Sequence, residues 1–226
     1  KIVEGLSAMT VTAWMKLSVD DVAVTMPVVS KWGPNTDSFT LNCHPTDNLV
    51  FSIWADSNDV SDQLTNSCEN IAGEWHHVVG RYKGTGVEVF FDGVGSGSPS
   101  ANTGPIDVTT NPLRIGANAE SPTSYFNGSI DEVQIYNCSV DAANITAANA
   151  TVGLRMTCED GSDGLVGEWA LNESGSTVTA SDSSANSNDG TLTNMNFYPD
   201  FNSSGGILST GAMGFDGVED KINLGD

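Results

Sequence analysis

Basic residues are scarce in this chain, with 8 Lys and Arg against 29 Asp and Glu and a net charge of −21. A surface of that sign excludes nucleic acid as a partner, because phosphates are bound through patches of Lys and Arg. It excludes anionic membrane surfaces for the same reason. The bulk of the charge reads as a solvated surface, also suited to high salt, while a few clustered carboxylates are places for a cation. Long apolar runs are absent too, and none approaches the roughly 18 residues of a membrane-crossing helix, so no membrane insertion is expected. No signal peptide stands at Lys1, as expected of a mature or excised chain. Cysteine is limited to four residues, none in a CxxC or Cys/His zinc spacing, which argues against a zinc cluster.

What the chain has in quantity is turn chemistry. It holds 24 Gly, with many Ser, Thr and Asn, over 226 residues. That pattern suits short strands in one large all-β domain rather than helices. Thr10–Leu17 puts Val11, Ala13, Met15 and Leu17 on one face, with Trp14 on the other. Short strands are predicted at Val28–Trp32, Ser38–Cys43 and Leu49–Ala55, with Ser57–Asn66 as a polar connection. Trp75–Tyr82 and Val87–Phe91 form the clearest hairpin, and Phe126–Tyr136 alternates Ile130, Val133 and Ile135. One short helix is predicted over Ser139–Ala150, with Ser139 as N-cap and Asp141 in the first turn.

The four cysteines fall as Cys43, Cys68, Cys138 and Cys158. Pairing Cys43 with Cys68 and Cys138 with Cys158 closes loops of moderate length, though three connectivities remain open on sequence alone. Six Asn-x-Ser/Thr sequons begin at Asn127, Asn137, Asn144, Asn149, Asn172 and Asn202. Even cysteines and dense sequons together predict an oxidising, extracellular or cell-surface location and a glycoprotein.

Several segments together resemble the laminin-G-like domain of the concanavalin A-like jelly-roll superfamily, in the branch near pentraxins. They are TVTAWMK (10–16), GEWHHVVGRYKGTGVEVFFDG (73–93), NPLRIGAN (111–118) and YFNGSIDEVQIYN (125–137). LVGEWALNESGS (165–176), DSSANSNDGTLTN (182–194) and GAMGFDGVEDKINLGD (211–226) complete the set. The resemblance covers nearly the whole chain and implies an all-β jelly-roll sandwich. Its segments stand in a permuted order, because the block from 165 resembles the one that opens a domain of this family. The chain therefore divides into a body (1–150), a linker (151–163) and the leading strands of a further unit (164–226).

Three arrangements fit that order. The tail closes its own sandwich, it is donated to a neighbouring copy, or the chain is one period of a tandem array. The cysteine-bearing linker favours the last two, with Phe215, Ile222 and Leu224 of one unit packing against Val11 and Ala13 of the next. The expected function is then a structural subunit of an extracellular filament or adhesin, assembled head to tail by strand complementation. The alternative is a calcium-dependent module of a surface protein that binds carbohydrate or another ligand. The resemblance also implies a structural Ca²⁺ held by Asp131 with carbonyls near Asp216 and Gly217. The loop from Asp182 to Asp189 is a second acidic cluster that turn formation explains equally well.

Catalysis is not expected. Glycoside hydrolysis needs two carboxylates flanking the bond, yet Glu88 stands alone, and adjacent strand residues such as Asp131 and Glu132 point to opposite faces. His76 and His77 are likewise adjacent and read as structural. Trp14, Trp32, Trp54, Trp75 and Trp169 are spread over separate strands and read as core packing rather than a sugar platform.

Overall fold

The computed structural model describes the chain apart from residues 1, 34–36, 47, 66, 98–99, 102, 120–123, 174–177, 196–200, 203–204, 209–210 and 226. In chain order the strands begin with β1 (Met9–Leu17), β2 (Met26–Ser30), β3 (Phe39–His44), β4 (Asn48–Ala55) and β5 (Asn58–Leu64). They continue with β6 (His76–Tyr82), β7 (Val87–Phe91), β8 (Val94–Gly95), β9 (Arg114–Ile115) and β10 (Asn127–Tyr136). After helix α1 (Ala142–Ala150) come β11 (Leu165–Trp169), β12 (Thr179–Ala180), β13 (Gly190–Thr193), β14 (Phe201–Asn202), β15 (Ala212–Asp216) and β16 (Lys221–Asn223). They form two antiparallel eight-stranded sheets. One runs β14-β15-β10-β1-β6-β7-β8, with β11 also on β10, and the other β12-β13-β16-β9-β2-β3-β4-β5. This is the jelly-roll sandwich expected from the sequence.

Alternation builds the core as predicted. Val11, Ala13, Met15 and Leu17 of β1 face Phe39, Leu41, Phe51 and Ile53 of the other sheet in one continuous buried cluster. Gly80 of β6 is a point of close approach between the sheets, since a Cβ there would sit 2.3 Å from the Phe51 ring. A second, smaller cluster lies outside the first sheet. There Ile145 and Ala148 of α1 cover Val79, Phe90 and Tyr136.

Three sequence expectations shift. The helix begins at Ala142, capped by Asp141, whose Oδ1 accepts the Ala143 N–H at 3.1 Å. Ser139 is too early to cap it, because Val140 is still extended and bridges to Cys158. The supposed polar connection at 57–66 is in fact strand β5. It was concealed by its composition, as Val60 and Leu64 are its only large apolar residues. The turn before it places both Asp56 and Ser57 at positive φ (52° and 61°), as in a two-residue hairpin whose central residues are left-handed.

The third shift concerns the tail. β11 and β15 pair with β10 of the same chain, and β16 pairs with β9. Phe215, Ile222 and Leu224 lie in the same buried cluster as Val11 and Ala13. Of the three arrangements, closure of its own sandwich is the one formed within this chain. The reason lies in residues 151–163, which are stapled to the sandwich instead of extending away from it. Cys138–Cys158 bonds the segment to the end of β10, as Cys43–Cys68 bonds the end of β3 to the loop after β5. Between the staple and α1, Met156 is buried and its N–H donates to the Tyr136 hydroxyl at 3.0 Å. The chain leaves this staple at Gly164, whose carbonyl accepts the Asn137 N–H at 2.8 Å, so β11 starts already beside β10.

Trp169 of β11 is fully buried. Its replacement by Ala is expected to lower stability by about 3–5 kcal/mol in urea unfolding. The unfolding midpoint should also be independent of protein concentration, as for a monomer. A midpoint that rises with concentration would restore the donated tail.

Candidate functional site

The polar side of β2–β5 forms a groove. In β3, Phe39, Leu41 and Cys43 turn inward, so the alternate residues Thr40, Asn42 and His44 face out. In β4, Leu49, Phe51 and Ile53 are inward, and Asn48, Val50, Ser52 and Trp54 face out. Strand β5 adds Asp59, Ser61 and Gln63, while Thr25, Trp32 and Thr46 complete the lining. Register sets these side chains in rows: Thr40 opposite Ser52 opposite Ser61, Asn42 opposite Val50 opposite Gln63, and Trp54 opposite Asp59. The groove encloses about 460 Å³. From Asn48 to Trp54 it runs about 20 Å at the usual rise of a strand.

At one end the rings of Trp32 and Trp54 stack, with centroids 5.6 Å apart and planes inclined by 27°. Both are only half-buried. These two tryptophans are therefore not core residues, contrary to the sequence reading. Trp169 is core, and Trp14 is buried on the far sheet against the His77 ring at 5.2 Å. Trp75 lies under the Lys16 ammonium, which is 5.0 Å from the ring centroid. The signal for the groove was present in the sequence as Thr-x-Asn-x-His in β3 and Asn-x-Val-x-Ser-x-Trp in β4. Reading it required knowing that β5 exists and that Trp32 lies beside Trp54.

The floor of the groove is polar and partly prepaired. Asn48 Nδ2 donates to Gln63 Oε1 at 3.1 Å, and Asn42 Nδ2 to Thr40 Oγ1 at 3.3 Å. The Asn42 Oδ1 is buried without a hydrogen-bond partner. His44 pairs through Nδ1 with Thr46 Oγ1 at 3.0 Å. Asp59 is the groove's only carboxylate among the described residues, and desolvation pushes its pKa above the ordinary value.

The residues expected to hold Ca²⁺ do not converge. Asp216 stands opposite Asn127 in the β10–β15 register, while Asp131 lies four residues farther along β10, about 13 Å away. Asp216 and Gly217 belong to a tight turn in which Asp216 Oδ1 accepts the Val218 N–H at 2.6 Å. Asp131 is buried, and its two oxygens accept the N–H groups of Glu132 at 3.0 Å and Ile207 at 2.9 Å. This set does not fit one calcium cage, which needs six to eight convergent oxygens. Asp182 is similarly engaged, accepting N–H groups from Glu168, Ser184 and Asn188 at 2.7–2.9 Å. Among the described residues no group of three or more His, Cys, Asp or Glu side chains is placed to share an ion.

His76 and His77 lie on opposite faces of β6. His76 Nδ1 meets Asp92 Oδ2 at 2.8 Å, and His77 Nε2 meets Thr12 Oγ1 at 2.7 Å. Burial lowers the His77 pKa to about 4, against a smaller upward pull from Asp92. Of the sequon residues, Asn137 and Asn172 are exposed, and Asn127 is half-buried on β10. The Asn144 amide donates to Thr157, and that of Asn149 to the Asp92 carbonyl. The side chain of Asn202 lies outside the described residues.

The laminin G model of the concanavalin A-like lectin/glucanases superfamily matches residues 3–146. Among curated proteins no match is found. Among solved structures, a heptameric SAP-like pentraxin from Limulus polyphemus is 14% identical, with a TM-score of 0.52. That match covers 68% of this chain and 74% of the pentraxin. The CBM40 of a Ruminococcus gnavus IT-sialidase, bound to α2,3-sialyllactose, is also 14% identical with a TM-score of 0.52, covering 64% of this chain and 83% of that one. Domains LG4-5 of the mouse laminin α1 chain are 10% identical with a TM-score of 0.48, covering 58% of this chain. This chain spans 36% of the length of that laminin fragment.

Burial raises the Asp131 pKa from 3.8 to about 7, against the backbone N–H of Ile207, which pulls it down. A carboxyl that holds its proton more tightly when folded stabilises the fold fully below pH 3.8, and that contribution is lost as pH rises to about 7. Asp131→Asn lacks this titration. Its stability relative to wild type should therefore rise between pH 4 and pH 7, measured by urea midpoints at a series of pH values.

Proposed function

This chain belongs to the laminin G group of the concanavalin A-like lectin/glucanases superfamily, and from that premise we propose that it is an extracellular carbohydrate-binding module whose ligand lies in the β2–β5 groove. The observation that carries this reading is the stacked, half-buried Trp32–Trp54 pair at the end of a row of Thr, Asn, Ser and Gln side chains. A sugar ring offers an apolar C–H face and a rim of hydroxyls. Indole surfaces take the face, and amides and hydroxyls, which both donate and accept, take the rim.

Two further observations support the reading. The fold neighbour from Ruminococcus gnavus is a module seen with a bound saccharide. Two disulfides suit an oxidising, extracellular setting, and among the described residues no helix is long and apolar enough to cross a membrane. Among the described residues the groove supplies one carboxylate, Asp59, where hydrolysis would call for two, so the proposed role is binding without cleavage.

The test is a broad glycan array followed by calorimetry with Trp54→Ala and Trp32→Ala. Each variant should keep the far-UV spectrum and lose about 2 kcal/mol of binding, roughly thirtyfold in affinity. Binding that survives both substitutions would place the ligand elsewhere and sink the assignment.

A further inference from the structure

We propose that the groove selects uncharged oligosaccharides and discriminates against acidic ones, such as those carrying sialic or uronic acid. This inference rests on the groove being the binding site. It begins with a sequence fact: from Gly33 to Gly80, the stretch containing β3, β4, β5 and their loops, there is no Lys or Arg. The same stretch carries Asp37, Asp47, Asp56, Asp59, Asp62, Glu69 and Glu74. A carboxylate ligand is held by a guanidinium fork or an ammonium, and no described residue lining the groove supplies either.

The nearest cation in the sequence does not alter this. Lys31 is 1% exposed, with its Nζ 2.6 Å from the Asn111 carbonyl and 3.4 Å from Glu4 Oε1. It is committed to the interior, beside a tryptophan that faces out. What the groove presents instead is hydroxyl and amide chemistry from Thr40, Asn42, Asn48, Ser52, Ser61 and Gln63. Among the described lining residues the one carboxylate, Asp59, stands directly opposite Trp54 in the β4–β5 register, where a stacked sugar would lie. An acidic substituent on that sugar would meet a carboxylate of its own sign with no compensating cation. The whole-chain charge of −21 disfavours it further at long range.

The experiment uses the intact protein and matched probes: lactose with sialyllactose, and xylo-oligosaccharides with their glucuronosylated forms. A series of neutral and acidic galactan-type oligosaccharides extends the set. Affinities are measured by calorimetry at low salt and again at high salt. The expected result is that every bound neutral probe outcompetes its acidic counterpart by about tenfold or more at low salt. The gap should narrow at high salt, because like-charge repulsion is screened. Asp59→Asn should narrow it at low salt, and Ser61→Lys should raise affinity for the acidic probe specifically.

Two failures are distinguishable. If acidic probes bind as tightly as neutral ones or tighter, and Trp54→Ala abolishes that binding, the selectivity is wrong while the groove stands. If Trp54→Ala and Trp32→Ala leave the binding of all probes unchanged, or no probe binds, the groove assignment and the selectivity fall together.

Discussion

The outer edge of β10 is the seam on which the molecule depends. Its inner edge is occupied by β1 along nearly its full length. Its outer edge is shared, with β15 on Asn127–Ile130 and β11 on Val133–Tyr136. Between the two lies a bulge, where Glu132 takes a positive φ of 49° and the pairing with β1 shifts between Thr12 and Trp14. The bulge lets two tail strands arriving from different directions use one edge. Asp131, in the gap between them, accepts the Ile207 N–H and so joins the body to the loop before β15. The residue that family resemblance suggested as a metal ligand acts here as a backbone acceptor at the joint.

The sandwich, its main hairpin, β1 and β10 were legible because each carries a period-two pattern of large apolar residues. Both disulfide pairings that loop length suggested are the ones formed. The path of the tail was harder to read, because strands that fill a seam look the same whether the seam is their own or a neighbour's. What decides it is a local tether, Cys138–Cys158, whose effect depends on where Gly164 emerges. Strand β5 was missed because its outward residues serve the groove and its inward ones include Asp62. That buried carboxylate accepts the Val89 N–H at 3.1 Å and a hydrogen bond from the Ser96 hydroxyl, holding β5 to the opposite sheet. A strand that bonds both a groove and a neighbouring sheet loses the alternation by which strands are recognised.

The two outer faces of the sandwich have different fates, and the difference locates the groove. On the first sheet, Val79, Phe90 and Tyr136 are apolar and are covered by α1 and the stapled segment. An outward apolar face must be covered, and the chain spends its one described helix doing so. On the second sheet the outward residues of β3–β5 are, apart from Val50, largely polar, so no covering element is needed. Trp32 and Trp54 are the exceptions, two large rings left half-exposed where the rest of the face needs no protection. Large aromatic surface left open among hydrogen-bonding groups is the feature on which the proposed recognition rests.

That location also fits the charge of the chain. A strongly acidic surface adds repulsion to every anionic encounter. Binding through indole faces, amides and hydroxyls does not draw on that field, because a neutral ligand neither gains nor loses Coulomb energy at long range. A groove with basic residues would have had to overcome the surrounding charge and would have bound its own acidic neighbours. The absence of Lys and Arg from Gly33 to Gly80 therefore leaves the proposed recognition chemistry of the groove independent of the acidic surface around it.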